Sequence, residues 1–366
     1  MNTPDFSEYL CQPEHVQARI NLIDPRAYDK TRNHLDGKVT WLSPFLTHGI
    51  CSTGKIASSV LQQYPPKKAY RLLYELGWRE FFHRTWQIEE DVIFSDMRHP
   101  QSGAMNSDLP TAIVQATTGI DTIDQCLLRL FETGLMHNHA RMWVASIICN
   151  LARTHWPEPA RWLHCHLLDG DMASNTLSWQ WIAGTFSHKK YFANQANINK
   201  YSSSKQTDTW LDVPYEAFDD FLLPEHMQAR SGSSSGAELI PGEPVTPISG
   251  KLALRSIWNL DPQWQRHVKQ HVVFVDTDWY AHWPMSQNRW AFIMHWADVC
   301  KARLVYGTLQ QLKRCTFDAD VVRQEYPACA HWPGKVTERD WLYPLPDDSF
   351  PSFSRYFKQV KSHVGL

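Results

Sequence analysis

Between residues 34 and 200 the apolar side chains recur at helical spacing and never alternate with polar ones, so this stretch can bury a face only as a succession of helices. Met136, Ala140, Val144, Ile147, Ile148 and Leu151 share one helical face, and Ile123, Leu127, Leu130 and Phe131 make another just before it. Ser43-Pro44 reads as a helix start, because proline tolerates the first turn and serine caps it. The expectation is a mostly α protein whose all-helical domain spans residues 1–205.

A composition break follows. Residues 206–251 read as a linker region, ending in ARSGSSSGAELIPGEPVTPISGK (Ala229 to Lys251), which is rich in Gly, Ser and Pro and has no periodicity. HVVFVD (His271 to Asp276) is then a short β-branched run, Ser286 to Cys300 is helical in pattern, and RLVYGT (Arg303 to Thr308) is a second strand candidate. Strand, helix and strand imply a small α/β subdomain with parallel pairing over residues 252–366. It carries no glycine-rich phosphate motif.

The chain has 366 residues, 43% apolar and 20% charged, which excludes disorder and low-complexity tracts. Lys+Arg 36 against Asp+Glu 38 leaves a net charge of -2, so nucleic-acid binding would need a local basic patch. Lys189, Lys190, Lys200 and Lys205 form one candidate patch, and Arg355, Lys358 and Lys361 another. No apolar run approaches the roughly 18 residues that span a bilayer. MNTPDFSEYL also lacks the features of a signal peptide, so a cytoplasmic protein with no membrane partner is expected. The eight cysteines are scattered without C-x-x-C or zinc-type spacing, and no metal is expected.

Three clusters put polar groups on helical faces that would otherwise be buried. In YELGWREFF, Glu75, Trp78, Arg79 and Phe82 stand at i, i+3, i+4 and i+7. An exposed ion pair beside two core aromatics would explain that. So would a pocket where an indole stacks on a flat ring and a carboxylate bonds its polar edge. In TGLMHNHARM, Asn138, Arg141 and Met142 share a face, and a buried arginine there needs an acidic partner. LLDGDMASNTLSWQW offers one in Asp169 or Asp171, with Asn175 and Trp179 following Asp171 on one helical face. N-capping and core packing are the plain explanations for these residues taken singly.

In this order and at these spacings, the clusters resemble the FAD-binding helical domain of the photolyase and cryptochrome family, from about Tyr28 to Tyr201. The resemblance implies that Tyr28, Thr40, Leu42 and Ser43 belong to the flavin-diphosphate segment, with Val39 where the family commonly has a second hydroxyl. It makes Glu75 the hydrogen-bond partner of a damaged thymine and Trp78 its stacking wall, with Arg79 beside the cofactor. Asn138 and Met142 would face the substrate, Asn138 also reaching the cofactor, and Trp181 would add to the substrate side. Arg141 would lie against the flavin and pair with Asp169, Asp171 would read the flavin edge, and Asn175 would sit opposite flavin N5. Trp179 and Trp156 match the first two members of the family's photoreduction chain, whereas the third has no counterpart between Arg98 and Thr118. Leu135 and His139 replace a tryptophan and an arginine common beside Asn138.

What the resemblance implies is a deoxyribodipyrimidine photo-lyase, a light-dependent carbon–carbon lyase. It would repair cyclobutane pyrimidine dimers in single- or double-stranded DNA, with single strands as the candidate preference, by electron transfer from reduced FAD. Asparagine at 138, where members acting on (6-4) lesions usually carry histidine, favours the cyclobutane dimer. Because fewer than 30 residues precede Tyr28, the family's N-terminal antenna domain and a second chromophore are not expected. A monomer is expected. The alternative is a cryptochrome-like FAD photoreceptor that signals through the C-terminal region.

Overall fold

The computed structural model describes residues 4–187, 189–232, 239–343 and 350–366. Helices α1 (Pro13–Asn21), α2 (Pro25–Thr31), α3 (Ser43–Thr47), α4 (Thr53–Gln63) and α5 (Pro66–Glu89) come first. Strand β1 (Leu109–Pro110) precedes α6 (Thr111–Val114), α7 (Asp121–Thr133), α8 (Asn138–Ser146), α9 (Pro157–His166), α10 (Met172–Ala183) and α11 (Gln195–Tyr201). Strands β2 (Arg230–Ser231), β3 (Glu243–Pro244), β4 (Gly250–Arg255) and β5 (Gln270–Asp276) follow, then α12 (Thr277–His282) and α13 (Gln287–Val299). The chain closes with β6 (Arg303–Gly307), α14 (Leu309–Cys315), β7 (Ala319–Gln324), β8 (Lys335–Thr337) and α15 (Phe353–Val360).

Two compact units result, and their segments interleave. The first comprises Met1–Pro4, Ala27–Val39 and Glu89–Ser235, and the second Asp5–Arg26, Thr40–Ile88 and Gly236–Leu366. They therefore do not follow the linear division into 1–205, 206–251 and 252–366. Residues 40–88, which read as part of the helical run, fold with the C-terminal sheet. Helical periodicity identifies a buried face but not the surface that covers it.

The first unit is helical, as expected. Ile123, Leu127 and Leu130 of α7 are fully buried in one core with Ala140, Trp143 and Val144 of α8 and with Trp162, Leu163, Trp179 and Ile182 of α9 and α10. Helix α7 ends at Gly134, whose φ of +73° lies in the left-handed region that glycine adopts without strain. A Cβ there would stand 3.1 Å from the Cβ of Leu168. After α8 the chain widens into a π turn over Ile147–Leu151 before reaching Trp156, the residue just ahead of α9.

The second unit contains a six-stranded, all-parallel sheet in the order β3-β6-β5-β4-β7-β8. From β4 the chain winds outward through β5 and β6, then crosses back to lay β7 and β8 on the other side, a doubly wound arrangement. Val272 to Val275 of β5 are all buried, which is why the run reads as continuously apolar. The expected strand–helix–strand unit corresponds to β5, α13 and β6. The stretch expected to be a linker contributes β2, β3 and the start of β4, held by backbone pairing to β1, β6 and β7 that side-chain patterning does not announce. Its residues 233–238 lie outside the described residues.

Helix α5 is buried on several sides in this unit, including at Glu80. The Glu80 carboxylate accepts the backbone N–H groups of Leu342 and Tyr343 and, at 3.0 Å, the hydroxyl of Tyr356 on α15. Burial pushes its pKa above the usual carboxylate value, and these donors together with Arg84 oppose the shift. Above it, a Cβ on Gly77 would stand 3.4 Å from the Phe357 ring and 3.5 Å from that of Tyr343. Tyr356→Phe removes one donor from a buried carboxylate and is expected to cost about 1–3 kcal/mol, read as a lower urea midpoint.

Candidate functional site

Two loops of the first unit are joined by one backbone bond: the Leu168 N–H donates to the Gly134 carbonyl at 2.7 Å. Gly134 opens the turn into α8, so the same bond fixes Arg141 relative to the loop that carries Asp169. Arg141 Nη2 donates to both carboxylate oxygens of Asp169 at 2.8 Å, and its Nε donates to the Met136 carbonyl at 2.9 Å. Asp169 is 4% exposed and Arg141 23%. The expected pair is thus formed within a buried frame, where removing one partner leaves a charge costing about 3–5 kcal/mol.

Two residues on, buried Asp171 caps α10 by accepting the Ser174 N–H at 2.7 Å. The Ser174 hydroxyl is itself buried with no hydrogen-bond partner. Asn175, half-buried one turn later, donates from Nδ2 to the Ala160 carbonyl at 2.9 Å. This places two buried carboxylates, one guanidinium, an unpartnered hydroxyl and an amide around the start of α10. Such a donor and acceptor set suits the edge of a polar heteroaromatic ring. The flavin edge, with its ring N–H and carbonyls, fits it.

On α8, Asn138 is exposed and its Nδ2 lies 4.0 Å from Met142 Sδ, so the two share a face as the spacing predicts. Trp179 and Trp156 are each 2% exposed, whereas Trp181 is 38% exposed and its ring lies 5.9 Å from that of Tyr191. Leu135 is buried, and His139 is buried with its ring tilted against Tyr201 at 4.6 Å. Tyr28 is half-buried in the same unit.

Thr40, Leu42, Ser43, Glu75, Trp78 and Arg79 belong to the second unit. Thr40 Oγ1 accepts the Leu42 N–H at 3.4 Å, and Trp41 between them has a φ of +52°. Ser43 opens α3 with Pro44 in its first turn, but no side-chain bond caps this helix. Half-buried Glu75 pairs with Arg71 at 3.9 Å. Trp78 carries Phe353 of α15 in parallel on its ring, with centroids 3.8 Å apart and 14° between planes. Sequence reading named neither Phe353 nor Glu80, since contacts some 270 residues apart leave no local pattern. Asp96, a single acid in an irregular stretch, gives no local signal either.

Residues 72–212 match the family model for the FAD binding domain of DNA photolyase. A deoxyribodipyrimidine photo-lyase of Streptomyces griseus is 33% identical over 161 residues, 43% of this chain and 35% of the relative. A cryptochrome DASH of Vibrio parahaemolyticus is 29% identical over 200 residues, 50% of this chain and 42% of the relative. The solved cryptochrome of Synechocystis sp. PCC6803 is 23% identical at a TM-score of 0.47, over 52% of this chain and 43% of that one. The chain spans well under half the length of these curated relatives. Through residues 72–212 the chain is therefore similar to the FAD binding domain of DNA photolyase.

Among the described residues no group of three or more His, Cys, Asp or Glu side chains could hold a metal ion, and no helix is long and apolar enough to cross a membrane.

Burial, with neighbouring cationic side chains, pushes His137 and His139 down to about 4 from the ordinary 6.5. Unfolded imidazoles therefore take up protons between those values that the folded ones refuse. Stability is full above pH 6.5 and falls as pH drops toward 4. Melting curves at pH 7 and pH 5 should show the lower midpoint at pH 5, and His139→Gln should shrink the difference.

Proposed function

We propose that the protein binds FAD and uses light to split cyclobutane pyrimidine dimers in DNA. The observation that carries this reading is the Arg141–Asp169 pair beside buried Asp171 at the start of α10, a donor and acceptor set that suits the polar edge of a flavin. Reduced, photoexcited FAD supplies a single electron to the dimer, which is the difficult chemistry. The protein's own part is positioning and charge control.

In this reading Arg141 and Asp169 hold the ring's orientation, Asp171 accepts its N–H, and Asn175 offers its amide near the ring centre. Tyr28 and Asn138 are further cofactor contacts from the same unit, and Thr40, Leu42, Ser43 and Arg79 are assigned to the cofactor by the family resemblance alone. Glu75 bonds the dimer, where a hydrogen bond to the developing charge is worth most. Asn138, Met142 and Trp181 serve as further substrate contacts, with Trp78 as the stacking wall. A dimer pairs and stacks poorly, so extruding it costs less than extruding a normal base. Lys200 and Lys205, both exposed, would meet flanking phosphates in this reading. Trp179 and Trp156 serve photoreduction.

One observation favours the second reading, a flavin photoreceptor that signals through its C-terminal region. The Trp78 face that would stack on a base carries Phe353 of the same chain. A base can take that place only if Phe353 leaves it.

The test is blue-light illumination of the flavin-loaded protein with a dimer-containing oligonucleotide, following recovery of thymine absorbance. Repair in light and none in the dark is expected, with Glu75→Gln lowering the yield about tenfold or more while leaving flavin content unchanged. Reversible photoreduction of the flavin without thymine recovery would reject repair in favour of the photoreceptor. Repair by Glu75→Gln at the parental yield would reject the assignment of Glu75.

A further inference from the structure

The inner indole at position 156 ends on a carboxylate. Trp156 is 2% exposed, and its Nε1–H donates to Asp96 Oδ1 at 2.7 Å. A buried indole needs only some acceptor, and elsewhere in this protein neutral groups suffice. Trp210 and Trp296 donate to the backbone carbonyls of Thr118 and Tyr9, and Trp143 to the Asn197 amide.

The carboxylate is itself held in place. Asp96 Oδ2 accepts the Gln101 N–H at 2.9 Å, and the Gln101 side-chain oxygen accepts the backbone N–H of Trp156 at 3.0 Å. Gln101 thus ties indole and carboxylate into one frame. On the outer side, His155 Nε2 lies 3.4 Å from the same Asp96 oxygen that accepts the indole. The side chains of Asp96 and His155 are 22% and 44% exposed, so this frame leads from a buried ring to water. The Trp156 ring also lies 6.4 Å from the His155 imidazole.

We propose that Asp96 is the proton acceptor for oxidised Trp156, so that the photoreduction path ends at a neutral indolyl radical on Trp156 rather than at a third tryptophan. The inference rests on the flavin reading above and adds one reactant to it, a photoexcited oxidised flavin that draws the electron through Trp179 and is thereby reduced. Trp156 gives up one electron toward Trp179. Its Nε1–H bond breaks, an O–H bond forms on Asp96, and the pair keeps its net charge change of +1 while the electron moves inward. A closed-shell indole holds this proton firmly. Loss of an electron makes it strongly acidic, and an anionic acceptor 2.7 Å away lets it leave without rearrangement. Once the proton has moved, return of the electron must also return the proton, which slows recombination. His155 and water then carry the proton outward.

The test is flash photolysis of the FAD-loaded protein, following the separate visible bands of the cationic and neutral indolyl radicals. Electron paramagnetic resonance of frozen, illuminated samples reports whether the radical retains its Nε1 proton. The parent should yield a neutral radical without that coupling. Asp96→Asn keeps an acceptor oxygen but removes the base, and should leave a cation radical that recombines at least several-fold faster. Asp96→Glu should restore the neutral radical. If Asp96→Asn forms the neutral radical at the parental rate, the proposal is wrong. If the parent gives no tryptophan radical while Trp179→Phe photoreduces normally, the tryptophan path itself is rejected, and the proposal falls with it.

Discussion

The Arg141–Asp169 pair is the contact on which the rest of the site depends. Buried Asp169 would not tolerate its charge alone, and the pair joins a helix to a loop whose shapes are set elsewhere. Gly134 supplies the left-handed turn that starts α8, Leu168 bonds back to it, and Asp171 caps α10 two residues beyond Asp169. The pair therefore locks the relative placement of two helices and leaves a polar rim around the start of α10. A substitution at either charge would first loosen that placement.

The second unit is organised around a different buried carboxylate. Glu80 gathers three donors from the last 25 residues of the chain onto α5, the helix that carries Glu75 and Trp78. The C-terminal helix then packs Phe353 on Trp78 and Phe357 against Gly77. Half-buried Trp78, the stacking wall of the proposed repair reading, is thus also a packing partner of Phe353 in this chain's last helix. That double use separates the repair and photoreceptor readings, because it makes access to the Trp78 face conditional on α15.

Much of this was legible in the sequence. Helical periodicity identified α7 and α8, the spacing of Asp171, Asn175 and Trp179 marked one face of α10, and the need of a buried arginine for an acid pointed from Arg141 to Asp169 or Asp171. The family resemblance then chose Asp169. The apolar run at Val272 to Val275 revealed a parallel strand. What was not legible is of one physical kind, contact between segments far apart in the chain. The residues at 40–88 show a helical period whichever surface covers them, so their membership of the sheet-containing unit had no local sign. The same holds for Phe353 on Trp78, and for Asp96 beneath Trp156, which is a single acid in an irregular stretch. Strands β2 and β3 were hidden because two-residue backbone pairings require nothing of side chains.

The central claim, that the buried pair on α8 and the α9–α10 loop holds a flavin, is tested most directly by flavin content. Parent, Arg141→Ala and Asp169→Asn proteins would be purified alike, and the bound flavin quantified by visible absorption, with circular dichroism to confirm folding. The account predicts close to one flavin per chain in the parent, and less than about a tenth of that in either folded variant, as expected when a buried pair is broken. Folded variants that retain the parental flavin content would contradict it.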